Sequence, residues 1–132
     1  MSRRGAADVL RAVGVFNRHD LASLARDAGI APAVYIAYRS ADTGRSYWPA
    51  AWQVVRPGFI TDAGAHFRDN RCKTFTVDRV REEKEAQLAA AIAWANDRYG
   101  EQEWVKVPGL PGCVFPRPVA DYAKALIKAS KR

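Results

Sequence analysis

The residues in this sequence that are best suited to binding chemistry are cations, and several of them occur in one stretch. His66 and Arg68 precede the turn-forming run Asp69–Cys72, and Lys73 follows it. A hairpin there would carry all three side chains on its two arms. Arg79 comes shortly afterwards, and its planar fork of donors can hold a phosphate or a base edge through two hydrogen bonds. We therefore predict a binding surface built around His66, Arg68, Lys73 and Arg79.

Aromatic residues could add stacking to that surface. Tyr38 ends a β-branched and aromatic run and offers both a ring and a hydroxyl group. Trp48 adjoins Pro49 near a predicted strand end, where a ring can stay exposed. A core position is the alternative for Tyr38 and His66, because a small protein needs large side chains in its interior. The other tryptophans, Trp52, Trp94 and Trp104, are assigned mainly to the core.

The charge balance of the chain favours a polyanionic partner. Its 132 residues include 21 Lys and Arg against 14 Asp and Glu, a formal net charge of +7. Excess cations raise the affinity for nucleic acid and speed the encounter with it. Two alternatives stay open at this point: each cation can be a solvated surface charge, and an Asp78–Arg79 pair at the start of a helix can simply cap it.

Catalytic and metal-binding patterns are missing from the sequence. It contains no Walker loop, nucleophile elbow, HExxH, GxGxxG or paired-cysteine spacing. Cys72 and Cys113 lie far apart in a chain with only two histidines, so we expect both to be buried free thiols. These patterns predict a protein that is not an enzyme and that needs no cofactor or metal.

Helices are predicted for the first thirty residues, which we expect to form an N-terminal cover over residues 1–30. The first helix spans about Ala6–Phe16, with Phe16 on its apolar face. The second spans Leu21–Ala28, and either Asn17 or Asp20 can cap it. Pro32 and a strand-like run follow directly, so a complete helix-turn-helix motif is not expected.

Short strands separated by turns are predicted from Ala33 to Val77. Such spacing is typical of a small antiparallel β-barrel. The predicted strands are 33–39, 52–55, 59–67 and 73–77, with turns at 41–44, 57–58 and 68–71.

The remainder of the chain, residues 81–132, is predicted to be mostly helical. A helix over Asp78–Tyr99 ends at Gly100, and a further short strand is predicted over Trp104–Val107. An irregular Pro/Gly connection over Pro108–Pro118 then leads to a C-terminal helix from Val119. We thus expect one α+β domain over residues 1–132, with the barrel in residues 33–80.

Several spaced pieces between Val34 and Val80 share features with a known family. They are an opening strand through Tyr38 with a turn containing Asp42 and Gly44, Pro49, the hairpin stretch Ala65–Arg68, and the closing run Lys73–Val80. Together they resemble the WYL domain of bacterial transcription regulators and defence-associated proteins. The name-giving Trp-Tyr-Leu triplet is replaced here by Phe59-Ile60-Thr61.

The resemblance implies an Sm-like, SH3-type barrel that binds nucleic acid or a nucleotide through a basic and aromatic surface. A role in DNA binding and transcription regulation would follow from it. We expect single-stranded nucleic acid or a nucleotide as the ligand, bound by the surface residues Tyr38, Trp48, His66, Arg68, Lys73 and Arg79. The alternative is a protein-interaction module whose barrel and C-terminal helix dock on a partner such as a transcription complex, and a small-molecule sensor comes third.

The sequence shows no apolar segment that would place the chain in a membrane. No apolar stretch reaches the roughly 20 residues needed to span a bilayer, and Asp8 and Arg11 interrupt any apolar signal region. We therefore expect a cytoplasmic protein with no membrane partner. The oligomeric state is not predicted by these features.

Overall fold

A computed structural model describes residues 5–40, 50–58, 60–63 and 77–130. Within these ranges the chain forms helices and strands that together make an α+β fold, as predicted. None of the helices in the described ranges is long and apolar enough to cross a membrane. In chain order the elements are α1 (Ala6–Ala12), α2 (Arg18–Asp27), β1 (Tyr35–Ser40), β2 (Ala50–Arg56), β3 (Ile60–Ala63), α3 (Val77–Tyr99), β4 (Trp104–Val105), β5 (Cys113–Pro116) and α4 (Arg117–Ser130).

The strands form an antiparallel sheet in the order β3-β2-β1-β5-β4. Among the described residues this sheet is open, and the predicted closed barrel is not seen in them. The physical reason is the position of β1. One of its edges pairs with β2, and the other pairs with β5 at Ile36 and Ala37. A strand from the C-terminal third of the chain therefore occupies the edge that a barrel built from residues 33–77 would have closed.

The predicted connection over Pro108–Pro118 is wrong in its centre, which forms β5. All four residues of this strand are buried, and a short apolar run of this kind is typical of a strand covered on both faces. Pro118 stands in the first turn of α4, where proline is tolerated because the amide group there has no helical partner. The strand predicted over residues 73–77 is also wrong at its end, because Val77 begins α3.

Helices cover the two faces of the sheet, and the alternation of side chains along the strands explains this. One face packs against residues of α1, α2 and α4, and the other packs against Ala91 and Ala95 of α3. The sheet residues on the first face are Tyr35, Ala37, Val55, Cys113 and Phe115, and those on the second are Ile36, Val54 and Val114.

Both predicted N-terminal helices form, but α2 begins at Arg18 rather than at Leu21, and α1 ends before Phe16. Asn17 caps α2, because its side-chain oxygen accepts a 2.9 Å hydrogen bond from the Asp20 amide. Helix α1 stops at Ala12, shortly before Gly14, which has a φ angle of 89°. As a result Phe16 lies beyond the helix and is 66% exposed, so its predicted place on the apolar face is wrong.

Candidate ligand-binding site

Two aromatic side chains lie side by side on the α3 face of the sheet. Tyr38 of β1 and Trp52 of β2 are opposite each other in the strand register. Their ring centroids are 5.1 Å apart and the ring planes are inclined by 57°. Both side chains are half-buried. Tyr38, a predicted site residue, is thus neither an isolated surface ring nor a fully buried core residue.

An open groove of about 600 Å³ lies beside Trp52. Trp52, Glu85 and Leu88 line one part of it, and residues 106–114 line the rest. We call this the Trp52 groove. The amide of Tyr38 donates a 3.0 Å hydrogen bond to the carbonyl oxygen of Gly112, so the loop that lines the groove is tied to β1. The volume falls in the range of about 300–1,000 Å³ that small-ligand sites occupy.

Arg79 belongs to the helix that covers this face. Tyr99, the last residue of α3, contacts Asp62, whereas Leu88 lines the groove with Trp52. The helix therefore runs in the same direction as β2. Arg79 precedes Leu88 by nine residues, so it lies about 13 Å further along the helix axis. Because Leu88 already lies at the level of Trp52, that displacement carries the Arg79 position past Trp52, in the direction away from Asp62.

The remaining predicted site residues, Trp48, His66, Arg68 and Lys73, lie outside the described residues. Their grouping with Arg79 on one surface stays a prediction. Asp78, which was considered as a helix cap, lies within the first turn of α3, since this helix begins at Val77.

A buried carboxylate holds together the opposite end of β2 and α3. Asp62 is only 7% exposed. Its Oδ1 atom lies 2.9 Å from Arg56 Nε, and its Oδ2 atom lies 3.4 Å from Arg98 Nε and accepts a hydrogen bond from the Tyr99 hydroxyl. Burial, followed by this hydrogen bond to Asp62, raises the pKa of Tyr99. The charge of Arg56 is thus balanced by Asp62.

A second open groove of about 810 Å³ lies next to this cluster. Its polar lining consists of Arg26, Arg56, Tyr99 and Gln102. Arg26 makes a 3.2 Å ion pair with Asp27, and Arg56 makes one with Asp62. Because both arginines already contact carboxylates, this groove is a weaker candidate for binding an anion.

The described histidine and cysteine have structural contacts. His19 Nε2 accepts a 3.2 Å hydrogen bond from the Gly58 amide, which links α2 to the turn between β2 and β3. Cys113 is a buried free thiol, as predicted, and donates to the Leu110 carbonyl oxygen at 3.2 Å. Burial raises the pKa of this thiol to about 11. In the part of the chain that the structure describes, no cluster of His, Cys, Asp and Glu could hold a metal ion.

No protein-family model, curated protein or solved structure matches this chain. The resemblance of Val34–Val80 to WYL domains therefore stays a prediction. The candidate site consists of the Tyr38–Trp52 pair and the adjacent Trp52 groove.

Proposed function

We propose that this protein is a regulatory binding module for single-stranded nucleic acid or a nucleotide, and that a base stacks on the Tyr38–Trp52 pair beside the Trp52 groove. The observation that carries the proposal is this pair of half-buried rings, 5.1 Å apart, at the side of a 600 Å³ groove. Stacking of a base on an aromatic side chain contributes about 1–3 kcal/mol and tolerates any base sequence.

The charge of the chain supports the same ligand. The net charge is +7, and Lys106 is an exposed cation in the lining of the Trp52 groove. Under this proposal Arg79 contacts a phosphate or base edge, and the hairpin cations His66, Arg68 and Lys73 extend the phosphate-binding surface. Trp48 would supply a further stacking ring.

The finer architecture belongs to the proposal as well. In it, the described sheet, β5 included, is part of a small Sm-like barrel, which is the fold that the WYL resemblance implies. The ligand class implied by that resemblance, nucleic acid or a nucleotide, is the class that a stacking platform on a basic protein would recognise.

A titration of the full chain with labelled single-stranded DNA, single-stranded RNA and duplex DNA tests the proposal. Measured at two salt concentrations, binding to single strands should weaken with added salt by a log-log slope of about 0.7 per neutralised phosphate. Trp52→Leu and Tyr38→Leu keep an apolar side chain but remove the aromatic stacking surface. Each should weaken binding by roughly five- to 150-fold, which corresponds to about 1–3 kcal/mol.

Phe16→Leu is the matched control, because Phe16 is an exposed ring outside the Trp52 groove. It should leave oligonucleotide binding unchanged. Circular dichroism and thermal melting of each variant separate loss of binding from loss of fold. If the parent protein binds no oligonucleotide or mononucleotide at low salt, the proposed function is wrong.

The exposed Phe16 favours the protein-interaction alternative. It lines a pocket of about 360 Å³ together with Arg18, Leu110 and Pro111, and exposed aromatic residues next to apolar pockets are common anchors of protein interfaces. A partner bound there would tolerate added salt and would depend on Phe16. Phe16→Leu would then weaken partner binding while Trp52→Leu would not.

A further inference from the structure

A separate groove of about 390 Å³ lies between α1, β4 and α4. Its apolar lining is supplied mainly by Val9, Val105, Val107, Ala120, Ala123 and Ile127. We call this the α1–α4 groove. Small side chains explain why it exists: α4 presents alanines at two buried positions where it approaches α1, and these leave space that larger residues would fill.

The charged residues that line the α1–α4 groove all carry the same sign. Lys106, Arg117 and Lys124 are exposed, and none of the described residues that line the groove is acidic. Arg117 is also 3.2 Å from Glu103, and Lys106 also lines the Trp52 groove. Lys124 is therefore the cation that best reports on this groove, because it lines neither the Trp52 groove nor the groove next to Asp62.

We propose that the α1–α4 groove binds a small amphipathic anion, namely a carboxylate with a hydrocarbon body of medium length. The hydrocarbon would bury the aliphatic surface of the groove, and the carboxylate would pair with Lys124 and its neighbouring cations. The volume lies within the range of about 300–1,000 Å³ found for small-ligand pockets. This ligand differs from the one proposed for the Trp52 groove.

Two other occupants fit the groove less well. A nucleobase would find no aromatic ring to stack on, since the apolar lining consists of aliphatic residues and proline. The second alternative occupant is the N-terminal segment before Gly5. It includes Arg3 and Arg4 and no acidic residue, so it would bring positive charge into a groove that is already cationic. An anion with an apolar body matches both the charge and the lining.

Calorimetric titration of the full chain with decanoate, kept below its aggregation concentration, tests the proposal at physiological ionic strength. Decanoate should bind with saturation at one site and raise the melting temperature, and decanol, which lacks the charge, should bind several-fold more weakly. Lys124→Glu should weaken decanoate binding at least about tenfold, because it replaces attraction of the carboxylate by repulsion.

Lys128→Glu is the matched control. It lies one turn further along α4, is also exposed, changes the net charge equally and does not line the groove. It should change decanoate affinity by less than threefold. The proposal is overturned if decanoate does not bind, if decanol binds equally well, or if the two lysine variants weaken binding alike. Binding of an acidic amphipathic peptide without binding of decanoate would overturn it too, and oligonucleotide titrations do not affect any of these outcomes.

Discussion

Gly109 lies directly against the first turn of α1. A Cβ atom at this position would be 2.7 Å from the backbone nitrogen of Ala7 and 2.8 Å from the carbonyl carbon of Ala6, and the φ angle of Gly109 is +92°. The loop between β4 and β5 therefore approaches α1 through a residue without a side chain. Residues of the same loop line both the Trp52 groove and the α1–α4 groove, so this contact positions two candidate sites.

We expect Gly109→Ala to destabilise the fold by about 2 kcal/mol or more, because it adds a backbone clash to the strain of a positive φ angle. Gly112→Ala is the control. Gly112 has a φ angle of +72° but no atom within 4 Å of an added Cβ, so only strain applies, at about 1 kcal/mol. Urea unfolding measures both values. Equal losses for the two variants would show that the loop can move away from α1.

The pH dependence of stability should report on His19. Burial lowers its pKa below the ordinary value of 6.5, and its Nε2 atom accepts the hydrogen bond from Gly58. Since the unfolded chain binds this proton more readily than the folded chain, the free energy of unfolding should fall as the pH drops below about 6.5. His19→Gln retains an acceptor oxygen without titrating. It should flatten this part of the urea-unfolding profile, and an unchanged profile would contradict the assignment.

Asp62 should matter more for stability than an exposed carboxylate does. Asp62→Asn removes the charge that balances Arg56 and Arg98, both of which are partly exposed and can rehydrate. We therefore expect a loss of about 1–3 kcal/mol, the scale of hydrogen bonds to a charged group. Asp27→Asn removes an exposed ion pair with Arg26 and should cost less than about 1 kcal/mol. Similar values from thermal unfolding of both variants would mean that the cluster adds nothing beyond a surface pair.

Helix ends that are determined by residues next to them in the sequence were predicted correctly. The cap of α2, predicted to be Asn17 or Asp20 and found to be Asn17, and the end of α3 before Gly100 are of this kind. The same reasoning failed at Phe16, because Gly14 ends α1 before the helical spacing can place that ring on the core face.

Features that depend on distant contacts were missed. Strand β5 pairs with β1 through Cys113 and Ala37, and nothing near Cys113 indicates that partner. Trp52 packs against the core, as predicted, but its pairing with Tyr38 was not foreseen. That pairing requires the strand register, which a long connection between two strands does not fix. The cluster around Asp62 likewise joins β3 to the end of α3, so no local motif reveals it.

Arg79 is the cation that the proposed function assigns to a phosphate or a base edge. Arg79→Ala should weaken oligonucleotide binding by about 1–3 kcal/mol, the scale of a charge-assisted bidentate contact. Lys73→Ala should cost less, because a lysine contacts phosphate through a single point charge. Arg81→Ala is the control: it removes the same charge from α3 at a position about 200° around the helix from Arg79.

Anisotropy titrations at low salt, with circular dichroism of each variant, separate the possible results for Arg79. A larger loss for Arg79→Ala than for Arg81→Ala supports a specific contact. Equal losses indicate only a general effect of net charge, since any removed cation reduces attraction to phosphates. If Arg79→Ala stays folded and binds as well as the parent protein, Arg79 is not part of the site, and the Tyr38–Trp52 pair must bind its ligand without that arginine.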